Sequence, residues 1–232
     1  MKVLMQALER IFNIWQQDRE DLIPLLQPGL SSREVQEQLS ALPFHLPQEV
    51  HHLYQWHNGI LIPPFPDLAV DFLPGFRFPP LGEAIRRFQH IEEFRQQYIF
   101  LTQTNPRFSN EYCHKPWFPI LGGEWVHLVV LADVNTQESS PVLDISWKRD
   151  DMVQLKYPNL TSMMSVVAKC YDVGAYYIDT DIIGNQVIES LVEDTRKVAR
   201  IERRANLERM GVSLKKRRRI EKHYQRHATD EQ

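Results

Sequence analysis

The sequence predicts an α+β fold in which helices surround a mainly antiparallel sheet and a basic helical extension follows. Three observations support this prediction. Helical patterns open the chain, three strand-like segments then follow one another with only turn-like residues between them, and helical patterns return toward the end. Helices and strands that are segregated along a chain are typical of α+β folds, whereas regular alternation would predict a parallel sheet.

The composition of the 232-residue chain is that of an ordinary globular protein, since 43% of its residues are hydrophobic and 25% are charged. That apolar content suffices for a sizeable core, so neither a metal nor a disulfide is needed to stabilise the fold, and we expect no cofactor. The two cysteines, Cys113 and Cys170, have neither metal-ligand spacing nor a disulfide pattern, which predicts a reduced, cytoplasmic setting. The first residues lack the apolar core of a secretion signal, and no apolar run approaches the roughly 18 residues of a membrane span.

Three helices are predicted before residue 60. The first is amphipathic. Its apolar face consists of Leu4, Leu8, Ile11, Phe12 and Trp15. Ser31 and Glu34 have the spacing of a capping box and start the second helix. The third begins near Pro47, because proline is tolerated in a first helical turn, and ends at Gly59, which supplies the left-handed conformation of a helix stop.

The centre of the chain predicts a proline-rich connection, a helix and a meander. Prolines between residues 60 and 80 limit that segment to turns and short or edge strands. A helix over residues 81–98 follows it. Its buried face consists of Leu81, Ile85, Phe88, Ile91 and Phe94. Strand candidates at 125–131, 142–147 and 152–157 are separated by turn-like residues, which favours an antiparallel meander.

Two glycine-marked breaks frame the end of this region. Gly122 and Gly123 lie between Pro119 and Trp125 and predict a hairpin turn rather than a phosphate-binding loop. A later helix starts near residue 160 and is broken by Gly174. Its inward positions are Leu160, Met163, Met164, Val167 and Tyr171.

The charges of the chain are distributed unevenly. Residues 196–226 contain thirteen Lys and Arg and three acids, whereas residues 1–195 contain fourteen bases and twenty-five acids. We therefore predict a domain over residues 1–185 and a basic helical extension over 186–232, with helical character from about Gln186 and a thin apolar line along it. That extension is a solvated helix face, folds back on the acidic body, or contacts nucleic acid or anionic lipid.

The segment LYQWHNG at residues 53–59 raises two interpretations. His57 could act as a base beside Trp56, or Asn58 and Gly59 could simply end a buried helix; the second is favoured, because no nucleophile motif accompanies His57. The His223 and His227 pair lacks the third protein ligand of a zinc site. The sequence also contains no nucleotide-binding glycine loop and no nucleophile-elbow motif.

The order of several motifs resembles that of the SUKH superfamily, the group that includes the fungal cell-wall assembly regulator and many bacterial immunity proteins. The motifs are LPQEVHHLYQWHNG, LPGFRFPPLGEAI, WFPILGG and SPVLDI, followed by a tyrosine-bounded helix, and they span about residues 42–176. The matching residues are Trp56, Asn58, Gly59, Pro74, Leu81, Trp117 and Pro119. The resemblance implies a strongly curved antiparallel sheet, no catalysis and binding of a protein partner. The basic extension departs from the family pattern, which suggests a dedicated scaffold or regulatory function.

Three functional hypotheses follow, and the first leads. It is a non-enzymatic module that binds a protein partner through the acidic body. Its candidate contacts are Trp56, His57, Asn58, Asp67, Asp71 and Trp117. The second is nucleic-acid or ribonucleoprotein binding through the basic extension. Its candidate contacts are Arg203, Arg204, Lys215, Lys216, Arg217, Arg218 and Arg219. The third is an enzyme that uses His57 or His114.

Overall fold

The computed structural model describes residues 1–20, 22–61, 70–105, 111–123, 125–149, 151–183 and 186–211. Within these ranges, helices precede a four-stranded antiparallel sheet and further helices follow it, which confirms the predicted α+β class. Most of the buried apolar side chains form one continuous core, and a smaller second cluster lies between the sheet and a long helix.

The first three helices form where the sequence predicts them. They are α1 (Lys2–Asp18), α2 (Ser32–Leu39) and α3 (Gln48–Trp56). Helix α1 buries Leu4, Leu8, Ile11 and Trp15. The capping box of α2 is complete, because the Ser31 hydroxyl accepts from the Glu34 N–H while the Glu34 carboxylate accepts from the Ser31 N–H.

The end of α3 differs from the prediction. The helix stops at Trp56, and residues His57–Ile60 form strand β2, which pairs antiparallel with β1 (Leu26–Pro28). Gly59 does have a positive φ of 82°, but it lies in β2 rather than at the end of a helix. A Cβ at this position would lie 2.5 Å from the carbonyl carbon of Pro79, so glycine is required here by close backbone packing as well as by φ.

The main sheet contains the predicted meander and one additional strand. Its order is β3 (Trp117–Gly122), β4 (Val126–Leu131), β5 (Val142–Ser146) and β6 (Val153–Tyr157), with every neighbouring pair antiparallel. The Gly123 N–H donates to the Val126 carbonyl and closes the hairpin predicted at the two glycines. Helix α4 (Leu81–Thr104) packs against β3 and is longer than predicted.

Helix α5 (Leu160–Asp172) packs against α1. All five of its predicted inward residues are buried, and Gly174 follows it with a φ of 59°. The Asn159 side chain caps its start by accepting from the Ser162 N–H. A carboxylate from another helix also caps the start of α5. Glu49 of α3 accepts from the N–H groups of Leu160 and Thr161 and from the Thr161 hydroxyl.

The prediction of a helix from Gln186 is wrong for its first eight residues. Strands β7 (Tyr176–Ile183) and β8 (Gln186–Glu193) form an antiparallel hairpin, and helix α6 (Thr195–Arg209) begins only after it. The apolar residues of β8 come in two adjacent pairs, Val187–Ile188 and Leu191–Val192, a spacing that matches a helix rather than the alternation of a strand. The predicted domain division at residues 185 and 186 would fall between the two paired strands.

Helix α6, the first part of the basic extension, is docked on the body. It packs against α5, buries Val198 and places Ile201 and Ala205 against the main core. Its start is capped by the Asp194 side chain, which accepts from the Lys197 N–H. The basic extension therefore belongs to the fold as far as Gly211, and residues 212–232 lie outside the described residues.

The described helices include none with the length and apolar character that crossing a bilayer requires. Cys113 and Cys170 are both buried free thiols. Burial raises the pKa of the Cys170 thiol to about 11, so it stays protonated near neutral pH.

Candidate functional site

Trp56 lies in the aromatic core rather than on the surface. Only 7% of the residue is exposed. Its ring centroid lies 6.4 Å from that of Trp15 and 6.5 Å from that of Phe72. This burial leaves almost no surface for the predicted contact with a partner, so we assign Trp56 to the core.

His57 and Asn58 join three segments of the chain. The His57 Nδ1 lies 2.8 Å from the Gln27 carbonyl oxygen, to which it can only donate. The Asn58 Oδ1 accepts from the Leu81 N–H at 2.9 Å and thereby satisfies a free donor at the start of α4. Burial lowers the pKa of His57, and its ring stacks on Phe12 at a centroid distance of 5.4 Å. A neutral ring held in this way is suited to a structural role.

The other predicted contacts are scattered. Asp71 closes a turn, since its carboxylate accepts from the Gly75 N–H at 3.1 Å and lies 3.5 Å from the Arg77 Nε. Trp117 is fully buried in the second core cluster, where it cannot contact a partner; this corrects its prediction as a binding residue. His114 is exposed. Asp67 lies outside the described residues.

A groove with a volume of about 630 Å³ lies between α1, β6, α5 and α6. We call it the α5–α6 groove. Five cations from four elements line it, namely Arg10, Lys156, Lys169, Arg204 and Arg209. Its volume falls within the roughly 300–1,000 Å³ that is typical of ligand-binding clefts.

The lining of the groove is mixed rather than uniformly basic. Helix α5 contributes the hydroxyl residues Thr161, Ser162 and Ser165. The apolar residues that line the groove are Val3, Val166, Ile201 and Ala205. Of these, Val3 is 56% exposed although it is apolar. Such a surface offers charge, hydrogen-bonding groups and hydrophobic contact together, as protein interfaces do.

Carboxylates partly neutralise the cations. The Lys156 Nζ lies 3.3 Å from the Glu202 Oε1, and the Arg204 Nε lies 3.6 Å from the Glu208 Oε1. Asp172 forms ion pairs with both Arg10 and Lys169. Five cations against three carboxylates leave two positive charges in the groove. In the described part of the chain, no carboxylate is paired with Arg209, which is exposed.

Tyr157 fixes one wall of the groove. Its hydroxyl donates to the Glu202 Oε1 at 2.9 Å and so joins the last residue of β6 to α6. Burial raises the pKa of Tyr157 well above its ordinary value, and the nearby Glu202 charge acts in the same direction. The hydroxyl therefore remains a donor at all physiological pH values.

Strand β6 leads into the groove along the edge of the main sheet. It pairs with β5 on one side, and none of the described strands pairs with its other side. Its residues Gln154, Leu155 and Lys156 are all exposed. Since Lys156 and Tyr157 also line the groove, the open edge and the groove form one continuous surface.

The structure brings together only part of the predicted nucleic-acid set. Arg204 lines the groove, and Arg203 lies beside it on α6. Lys215, Lys216, Arg217, Arg218 and Arg219 lie outside the described residues. Among the described residues, no three His, Cys, Asp or Glu side chains are grouped so that they could hold a metal ion.

Sequence reasoning missed Arg10, Lys156, Lys169 and the hydroxyls of α5 as site residues. They are separated by up to about 160 positions along the chain, so only the packing of α1 on α5 and of α6 on α5 brings them together. No family model matches the chain, and no curated protein matches it either.

Proposed function

We propose that this protein is a non-enzymatic module that binds a protein partner in the α5–α6 groove. One observation carries the proposal: a docked basic helix, a hydroxyl-bearing helix and an open strand edge meet around one cleft of mixed character. The proposed contact is this groove rather than the acidic surface of residues 1–195. A cytoplasmic setting is part of the proposal, because the buried cysteines are free thiols.

The arrangement of His57 supports a non-enzymatic function. A general base needs its proton acceptor free and a reacting group within hydrogen-bond distance. The His57 Nδ1–H donates to a backbone carbonyl, which leaves Nε2 as the acceptor, but among the described residues no hydroxyl or thiol forms a hydrogen bond with this ring, which packs against Phe12 and Trp56. The resemblance to the SUKH superfamily, whose members are mostly protein-binding modules, agrees with this proposal.

Affinity capture with the full chain in its source cells tests the proposal. Three proteins are compared: the wild type, a groove variant carrying Arg204→Glu and Arg209→Glu, and a control variant carrying Arg33→Glu. Arg33 is an exposed residue of α2 outside the groove. We expect a protein that is retained by the wild type and the control and lost from the groove variant. A partner set that is the same for all three would refute the proposed site.

Nucleic-acid binding is a second candidate, and the position of Arg204 favours it. This residue shares one groove with Arg10, Lys156, Lys169 and Arg209, so the basic character of α6 continues onto three other elements. Binding through phosphates would weaken steeply as the salt concentration rises. If deletion of residues 212–232 and the Arg204→Glu, Arg209→Glu variant both leave retention of RNA and DNA unchanged, this candidate fails.

A further inference from the structure

We infer that the partner segment bound by the α5–α6 groove is an acidic peptide in extended conformation that pairs with the open edge of β6. This inference rests on the proposed function and specifies its partner. Three features carry it: the edge of β6, the surplus of positive charge, and the carboxylates within the groove.

The first feature is the unpaired side of β6. In an antiparallel strand, backbone N–H and C=O groups point alternately to both sides, so β6 presents hydrogen-bonding groups away from β5. Open edges of this kind are recognised by extended peptides that add one strand to the sheet. Natural proteins commonly protect such edges with proline, with lysine or with a covering element. Strand β6 contains no proline, its Lys156 is paired with Glu202, and Leu155 at its centre is 49% exposed.

The second feature selects the charge of the peptide. A strand added beside β6 would continue past Tyr157 and reach the cations of the groove. Arg209 is exposed and has no described carboxylate partner. The Arg204 Nε lies 3.6 Å from the Glu208 Oε1, which is a long distance for an ion pair. Both can turn to a new carboxylate at little cost, since exposed ion pairs are weak. Complementary charge would then fix the register and direction of the bound strand.

The third feature favours a peptide over a polyphosphate. Glu202 and Glu208 line the same groove and repel any bound anion, so a polyphosphate with a charge on every unit is penalised more than a peptide with a few acidic side chains. A peptide backbone, in contrast, carries N–H donors that carboxylates can accept. A surplus of two positive charges suits a segment with a few acidic side chains, whereas nucleic-acid affinity comes from many phosphate contacts.

The inference is tested with defined peptides on the full chain. The probe is a fluorescent peptide of about nine residues, the length of a long strand, in which valine and glutamate alternate. One matched peptide carries N-methyl groups on every second amide, which blocks pairing on one edge, and another replaces glutamate by lysine. A polyuridine RNA of similar length serves as the phosphate probe. Fluorescence anisotropy measures binding, and hydrogen exchange of residues 153–157 measures whether β6 becomes paired.

We expect the acidic peptide to bind, to protect the amides of β6 from exchange, and to lose about tenfold in affinity in the Arg204→Glu, Arg209→Glu variant, while the Arg33→Glu control keeps wild-type affinity. The N-methylated and lysine peptides should bind at least about tenfold more weakly. The inference is overturned if the acidic peptide does not bind, if N-methylation has no effect, if β6 is not protected, or if the RNA binds more tightly than the peptide. A groove-dependent protein captured from cells alongside any of these outcomes would leave the proposed function standing and remove only this inference.

Discussion

The Tyr157 hydroxyl donates a 2.9 Å hydrogen bond to the Glu202 carboxylate, which joins the edge strand of the main sheet to the basic helix α6. The Lys156 ammonium lies 3.3 Å from the same carboxylate. A single acidic side chain of the basic extension therefore links it to two consecutive residues of β6. These contacts hold one wall of the α5–α6 groove in place.

Removal of this carboxylate should loosen α6. In Glu202→Ala, the largely buried Tyr157 hydroxyl loses its partner, so we expect the free energy of unfolding to fall by about 1–3 kcal/mol. Urea unfolding measures the change. Glu37→Ala breaks an exposed ion pair with Arg33 and should cost less than about 1 kcal/mol. Equal losses in the two variants would show that Glu202 does not anchor the helix.

Two glycines with positive φ separate the cost of backbone conformation from that of packing. Gly59→Ala places a Cβ against the backbone of Pro79 and Pro80, whereas Gly174→Ala points its Cβ into open space. We expect Gly174→Ala to lower the free energy of unfolding by about 1 kcal/mol and Gly59→Ala to lower it by at least about 3 kcal/mol. Thermal and urea unfolding measure the loss in both variants. A larger loss in Gly174→Ala than in Gly59→Ala would contradict the prediction.

Glu49 should contribute to stability through a helix to which it does not belong. Its carboxylate accepts from the first N–H groups of α5 and so places negative charge at the positive end of that helix. Glu49→Gln keeps an acceptor but removes the charge, and we expect a loss of about 1 kcal/mol; Glu49→Ala should lose about 2 kcal/mol. Urea unfolding provides the measurement, and no difference between Ala and wild type would contradict the capping role.

Stability should depend on pH through His127. Burial, assisted by the nearby Arg87 charge, lowers the pKa of His127 to about 4 from 6.5, and its Nδ1 has no described hydrogen-bond partner. Between these pH values the unfolded chain binds a proton here that the folded chain does not. The contribution of His127 is therefore fully present above pH 6.5 and is lost as the pH falls toward 4, by about 3 kcal/mol.

A histidine variant isolates this contribution. His127→Asn should reduce the difference in unfolding free energy between pH 6.5 and pH 4, whereas His90→Asn changes an exposed residue and should leave that difference as in the wild type. The same pH dependence in His127→Asn and the wild type would show that the imidazole is not kept neutral by its surroundings.

The predictions from sequence succeeded where the local pattern determines the structure. The apolar stripes of α1 and α5, the capping box at Ser31 and the meander of β4, β5 and β6 follow from residue periodicity and turn chemistry. Strand β3 was missed, because a fully buried strand has a continuous apolar run and this one contains Pro119. The β7–β8 hairpin was missed because its polar residues stand together in β7, at Asp179, Thr180 and Asp181, and its apolar residues are paired in β8, so neither strand shows the period-2 alternation that marks a strand.

Except for Arg204, the candidate site could not be predicted from sequence. Its residues lie between Val3 and Arg209, and the other cations look like ordinary surface residues in their own segments. Only the docking of α6 through Val198 and Ile201 makes them one surface. Burial likewise removed Trp56 and Trp117 from the predicted set, since an aromatic residue in a sequence has no mark that separates a core position from an exposed contact.

Site-specific photo-crosslinking in the source cells tests the central claim most directly. A photoreactive amino acid replaces Asn206, which is exposed in the groove, and in a second variant it replaces Arg33 on α2. If a protein partner occupies the α5–α6 groove, irradiation gives a discrete protein adduct from position 206 and none from position 33. The claim is contradicted if the two positions give the same adducts, or if the only adduct at position 206 is nucleic acid.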